Sequence, residues 1–234
     1  MDLLRLQDVW KSYGSGEARV EALRGITLNI ARGEFVVVSG PSGSGKTTLL
    51  NVMSGLDRPD RGSVVFEGNP LHELSEDALS ALRLRRVGFV FQAHNLIPVL
   101  TARENAELLL LLQGIPEEKR RTRVDELFHL LGIDGLQDRK PSEMSGGQQQ
   151  RVAVIRAIAH RPSVLFLDEP TANLDTATSR VLLDHLSALN RRENVTFIFS
   201  THDPLVLEYA HRVLYMRDGK IQKDERRKGP TCSV

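Results

Sequence analysis

One cysteine, Cys232, leaves no partner for an intrachain disulfide in 234 residues, and such usage suits a reducing compartment. Charge of a single sign is also lacking. Lys and Arg number 31 against 30 Asp and Glu, a net of +1, which gives no electrostatic case for nucleic acid as a ligand. Long apolar runs are absent: nothing approaches the ~20 residues that span a bilayer. The longest candidate, Leu108 to Leu112, is flanked by Glu107 and Gln113 and predicts a buried helical face. The opening Met-Asp-Leu-Leu-Arg lacks signal-peptide architecture, and Cys232 stands third from the end, so neither a leader nor prenylation is expected. No internal repeat is seen, and each motif occurs once. A chain of this length can bury a sizeable core and suits one large domain, or one domain with a sub-lobe.

Against that background one stretch stands out. Gly40, Pro41, Ser42, Gly43, Ser44, Gly45, Lys46 and Thr47 fit the phosphate-binding pattern G-x-x-x-x-G-K-[ST]. In it backbone N–H groups wrap the phosphates, the lysine reaches the β/γ oxygens and the hydroxyl of Thr47 ligates Mg²⁺. At average residue frequencies a chain of this length matches by chance on the order of once in a hundred. A flexible Gly/Ser loop is the bland alternative, and the flanks argue against it. Phe35 to Ser39 is a short β-branched run that predicts a buried strand, and Thr47, Thr48 and onward to Met53 predict a helix packed by Leu49, Leu50 and Met53. Strand, glycine loop, helix aims free N–H groups and the positive helix end at an anion.

A second apolar run, Val164 to Leu167, ends in Asp168-Glu169. A carboxylate at the C-terminal end of a parallel strand can hold Mg²⁺ through water, and the next residue can polarise an attacking water. An exposed acidic turn before Pro170 is the alternative.

With these residues in place the chain resembles the ATP-binding subunit of an ABC transporter, with motifs in the family's order over nearly the whole length. Tyr13 sits where the family stacks an aromatic ring on adenine. Gln92, in Phe89-Val-Phe-Gln92, resembles the Q-loop, and Met144-Ser-Gly-Gly-Gln148 the signature, with Met144 where Leu is usual. Ala172-Asn-Leu-Asp175 resembles the D-loop, and His202 the switch histidine. Physically, Ser145 can cap a helix whose start, Gly146 and Gly147, lets backbone approach closely, with Gln148 to Ile155 continuing as helix. The resemblance implies that Ser145, Gly146, Gly147 and Gln148 meet ATP bound by a second copy of the chain. It further implies Mg²⁺ held by Thr47, Gln92 and Asp168, catalysis by Glu169, His202, Gln92 and Lys46, and Asp175 beside the nucleotide.

The expected fold is α/β, a P-loop NTPase (RecA-like) core with an N-terminal antiparallel β subdomain and an inserted helical subdomain. Residues 1–92 and 148–222 are assigned to the core, 93–147 to the helical lobe and 223–234 to a charged tail, Lys223 to Lys228 being read as a solvated end. Alternation in Leu4, Leu6, Val9 and Ile26, Leu28, Ile30, with turns at Gly14 to Gly16 and Arg32-Gly33, predicts antiparallel strands. A further strand pair is expected to bracket Gly62, with Val64 to Phe66 as one member. Helices are expected from Asn105 to Leu112 and from Arg121 to Leu131, and a closing hairpin at Asp218-Gly219.

Ser54 to Pro59, Gly62 and Asn95 to Ala102 with Glu104-Asn105 resemble the lipoprotein-release, macrolide-efflux and cell-division branch. That branch implies a separate transmembrane permease as partner and a peripheral place on the cytoplasmic face of the membrane. An amino-acid-type importer ATPase or a regulatory, division-linked ATPase shares enough of this wording to stay open. A soluble ABC protein of the ribosome or of DNA repair usually carries two cassettes or a long coiled coil, and neither is here.

Overall fold

The structure, a computed structural model, describes residues 2–93, 95–172 and 174–227. Cys232, Asn173 and the expected tail from Lys228 onward lie outside the described residues. The chain forms two compact units, one built from the segment up to Arg83 and from Thr196 onward, the other from Leu84–Val195.

In the first unit β1 (Asp2–Tyr13) and β2 (Val20–Ala31) pair antiparallel, as their alternation predicts, and bury Leu4, Leu6, Val9, Ile26, Leu28 and Ile30. Next come β3 (Phe35–Ser39), α1 (Lys46–Met53), β4 (Arg61–Phe66) and β5 (Asn69–Pro70), and the antiparallel sheet runs β2-β1-β4-β5. Gly62 departs from expectation: it lies inside β4 rather than between two strands. Its φ is +83°, and a Cβ there would run into the Asp8 carbonyl, where β1 bulges. The turn of that hairpin is Glu67-Gly68 instead, two left-handed residues suited to a type I′ connection.

The same unit's second sheet sets β8 (Thr196–Thr201), β9 (Arg212–Arg217) and β10 (Lys220–Arg226) around β3 in the order β10-β9-β3-β8. β3 is parallel to both neighbours and buried along its whole length, as a continuous Phe-Val-Val-Val run requires. Phe35 stacks on Phe199 at 4.6 Å. The Asp218-Gly219 hairpin forms as expected, both residues left-handed. The charge run from Lys223 is mostly solvent-exposed over its first four residues, yet these form part of strand β10. Arg212 explains the difference: it is buried, grips Asp224 bidentately at 2.7 and 2.6 Å, and donates to the Asn29 carbonyl and to Glu34. These bonds hold the Asp224 carboxyl below the usual carboxylate range.

In the second unit β6 (Val87–Val90) and β7 (Val164–Asp168) pair parallel. Around them lie the end of α2 (Glu76–Arg86) and the helices α3 (Ala102–Leu112), α4 (Glu117–Leu130), α5 (Gly146–Ile158) and α6 (Thr176–Glu193). Within this unit α5 packs on β6. A Cβ on Gly88 would meet the Ala157 carbonyl, so only glycine permits that approach. α3 begins earlier than periodicity suggests because Thr101 and Glu104 form a reciprocal capping box. The run Leu108 to Leu112 is not a buried face: Leu110 is buried, whereas Leu111 and Leu112 are 54% and 62% exposed. Five consecutive residues at about 100° each sweep more than a full turn, so they cannot share one face. Among the described residues no helix is long and apolar enough to cross a membrane.

His160, just past α5, is buried and donates from Nε2 to the Val87 carbonyl at 3.2 Å. Burial pushes its pKa down to about 4 from an ordinary 6.5. Between those values the unfolded chain binds a proton that the folded chain refuses, so stability is intact at pH 7 and falls as pH drops from 6.5 towards 4. Urea unfolding at pH 7 and pH 5 is expected to show a loss of about 1–2 kcal/mol from this group, flattened in His160→Gln. Equal pH slopes in the two proteins would remove His160 as the cause.

Candidate active site

In the first unit the chain leaves β3 at Ser39 and turns through Gly40 to Gly45 into α1. Gly43 and Gly45 have φ of +77° and +99°. Cβ atoms on Gly40 and Gly45 would collide with the Met216 and Ala22 carbonyls, so the loop is threaded where side chains cannot go. No side chain caps α1, and its first-turn N–H groups are offered to an anion. Lys46 is buried with its ammonium inside the loop, donating to the carbonyls of Gly40 at 2.8 Å and Pro41 at 3.1 Å. The Ser44 hydroxyl is buried without a hydrogen-bond partner. An orphaned hydroxyl beside an enclosed ammonium and open helix N–H groups fits the phosphate chain of a nucleotide. Pro41, Ser42 and Thr47 are exposed around that cup, and Thr48 is half-buried.

His202 follows β8 directly. Thr201 pairs in register with Ser39, so His202 and Gly40 leave adjacent parallel strands at the same C-terminal end. Asp203 then caps α7 (Pro204–Tyr209), which fixes the chain just after the histidine. Tyr13 ends β1 with a partly exposed ring, its hydroxyl donating to Asp57 at 2.7 Å.

In the second unit Val90 pairs with Leu167, so Gln92 and the Asp168-Glu169 pair emerge from the same end of neighbouring strands. Glu169 has φ of +46°, a left-handed conformation that costs a non-glycine residue on the order of 1 kcal/mol. Ser145 caps α5 through a capping box: its hydroxyl accepts from the Gln148 N–H at 3.3 Å, and Gln148 Oε1 accepts from the Ser145 N–H at 2.9 Å. The Gln148 carboxamide thus shapes the turn, leaving Ser145 and Gly146 exposed. A Cβ on Gly147 would press within 3.0 Å of Thr178 on α6, which Asp175 caps with 2.9 and 2.7 Å bonds to Thr178. Signature and D-loop therefore share one packed joint. Those backbone and side-chain bonds hold the Asp175 carboxyl below its ordinary range.

Asn105 was legible only as a piece of wording, and its role is physical. Fully buried, it accepts from the Ile97 N–H at 2.7 Å and donates to the carbonyls of Ile97, Leu100 and Thr101. One carboxamide thereby moulds the apolar segment after Gln92. A buried Asn at the first turn of a helix that follows an irregular loop is the signal that could have found it.

The ABC transporter family matches residues 23–172 of this chain. A macrolide export ATP-binding/permease protein, MacB, of Syntrophobacter fumaroxidans is 46% identical over 96% of this chain, which spans only 32% of that longer protein. A lipoprotein-releasing system ATP-binding protein, LolD, of Geobacter metallireducens is 42% identical over 95% of this chain and 99% of its own length. Among solved structures, an ATP-binding cassette of Methanocaldococcus jannaschii, described as a dimeric post-hydrolysis state bound to ADP and Pi, matches with a TM-score of 0.90. It is 40% identical, covering 97% of this chain and 99% of that one. Phosphate loop, capped signature and full-length likeness agree: the chain belongs to the ABC transporter family, as one of its ATP-hydrolysing cassettes.

Proposed function

We propose that two copies of this chain close around two ATP molecules, and that closure drives a separate membrane permease of the lipoprotein-release or macrolide-export type. The observation that carries this is the signature turn. Ser145 and Gly146 present an exposed helix start, with the half-buried Gly147 behind them, in a chain that already offers helix N–H groups at its phosphate loop. A second anion site of that kind is accounted for by the γ-phosphate of ATP held on another copy. The relative solved as a dimer with ADP and Pi supports the reading.

Lys46 and the loop N–H groups hold the phosphates. Thr47, Gln92 and Asp168 offer the oxygen donors that Mg²⁺ takes, and the ion would neutralise charge developing on the phosphoryl oxygens. Glu169 orients or deprotonates the attacking water, and His202 steadies the γ-phosphate. Ser145 and Gly147 of the second copy complete the site. Phosphoryl transfer is governed by positioning and charge stabilisation, so an open single copy is nearly inactive. The chain works at the cytoplasmic face of the membrane through its permease.

In Glu169→Gln, nucleotide binding is expected to persist while hydrolysis falls roughly 10²-fold or more, the scale of a lost general base. The variant should run as an ATP-bound dimer on size exclusion, and near-normal turnover would sink the assignment. A Lys46→Ala protein mixed with a Ser145→Arg protein should regain activity, since heterodimers hold one intact composite site. No recovery at any mixing ratio would overturn the shared site. Val99 is 74% exposed on the segment that Asn105 moulds. Val99→Glu is expected to abolish co-purification with the permease and spare basal ATPase, and an intact complex would place the docking surface elsewhere.

A further inference from the structure

The first unit holds a polar cluster at the end of β1 that none of these roles uses. The Tyr13 hydroxyl donates to Asp57 Oδ2 at 2.7 Å, and Lys11 Nζ donates to Asp57 Oδ1 at 2.6 Å. The same ammonium donates to the Arg58 carbonyl at 2.8 Å and lies 5.3 Å from the centre of the Tyr13 ring. Asp60 accepts the Ser12 N–H at 2.7 Å, which fastens the strand end just before the ring. A tyrosine that merely packs at a strand end has no need of so many ties. Here the hydroxyl is held by Asp57 while the residue stays 43% exposed.

The protonation states suit this geometry. Burial, then the bond to Asp57, push the Tyr13 phenol up to about 12, so it remains a donor. Burial alone would raise Asp57, but the bonds from Lys11 and Tyr13 outweigh it and hold the carboxyl below its ordinary range. Asp57 is set in turn by α1: the N–H groups of Leu56 and Asp57 both donate to the Asn51 carbonyl, at 2.9 and 3.1 Å. An eight-residue helix is about 12 Å long. One short rigid element thus carries the phosphate loop at its N-terminus and, through Asp57, the ring at its C-terminus.

We propose that Asp57, with Lys11, is a positioning residue for the adenine base, holding the plane of the Tyr13 ring ready for stacking without touching the nucleotide. A ring free to rotate loses its side-chain freedom when a base stacks on it, and that loss weakens binding. With the hydroxyl tied to Asp57, the ordering is complete before the nucleotide arrives. This rests on the assignment of Tyr13 as the ring that stacks on adenine.

The test is calorimetric binding of ADP and, separately, of tripolyphosphate, which has no base, to the full chain with Mg²⁺. Tyr13→Phe keeps the ring and removes the tie, and Asp57→Ala removes the anchor. Each is expected to weaken ADP by about 3- to 10-fold, the scale of ordering one side chain, and to leave tripolyphosphate unchanged. The double variant should bind ADP no more weakly than either single one, because both break the same tie. Wild-type ADP affinity in both single variants, additive losses in the double, or an equal loss of tripolyphosphate would each overturn the proposal. If Asp57→Ala fails to fold, Tyr13→Phe decides alone: a loss confined to ADP supports the tie, and no loss refutes it. Tyr13→Ala separates the two levels. Unaltered ADP affinity there overturns the stacking assignment itself, whereas weakened binding beside an unaltered Tyr13→Phe overturns only the positioning role.

Discussion

The polyphosphate of a nucleotide carries dense negative charge, and a protein meets it best with fixed backbone N–H groups. That demand sets the tightest constraint in the first unit. The turn from β3 into α1 must pass so close to the carbonyls of Met216 and Ala22 that Gly40 and Gly45 cannot bear a Cβ. Those carbonyls belong to β9 and β2, so the loop's shape depends on both sheets of the unit standing where they do. The wholly buried β3 locks one side, and Arg212, clamping Asp224, Glu34 and the Asn29 carbonyl, ties β9 to β10 and to the end of β2. A loop that looks pliant in sequence is held at Gly40 and Gly45 by packing against both sheets.

The second unit answers a different need, that of presenting backbone and carboxylates without letting the chain collapse onto them. Its devices are local and mutually supporting. The Ser145–Gln148 box opens α5 with Gly146 bare at the surface, and the Asp175 cap opens α6 against the same turn. Glu169 is kept in a left-handed conformation just past the end of β7. Asn105 gives the irregular segment after Gln92 a single shape by satisfying four backbone groups from one buried carboxamide. Buried polar groups of this kind hold a specific conformation, because every alternative leaves them unpaired.

What sequence patterns expressed well were features whose cause is local. Continuous apolar runs produced the buried strands β3 and β7, two-residue alternation produced β1 and β2, and Asp-Gly closed the last hairpin. Phosphate loop, signature and D-loop were legible because left-handed glycines and capping residues act within a few positions of themselves. Local reading misled where a neighbour far along the chain decided. Gly62 looked like a turn and is instead the residue that admits the Asp8 bulge. The five leucines looked like a face, but the helix has only one buried side for them. Lys223 to Arg226 looked like a solvated end and became a strand because Arg212 receives Asp224.

By itself, then, the sequence determined the chemistry: a glycine-rich anion loop, carboxylates at strand ends, a capped signature helix, and membership of a family that hydrolyses ATP. Each of these is written in short, contiguous stretches whose backbone preferences act directly. Tertiary structure alone decided the arrangements that require residues distant in sequence to meet. It brought Lys11 and Tyr13 onto Asp57, set Arg212 on Asp224, Asn29 and Glu34, and placed His202 and Gly40 at the ends of adjacent strands. No local preference encodes such meetings, because they exist only once the sheets have formed and burial has removed water as the competing partner.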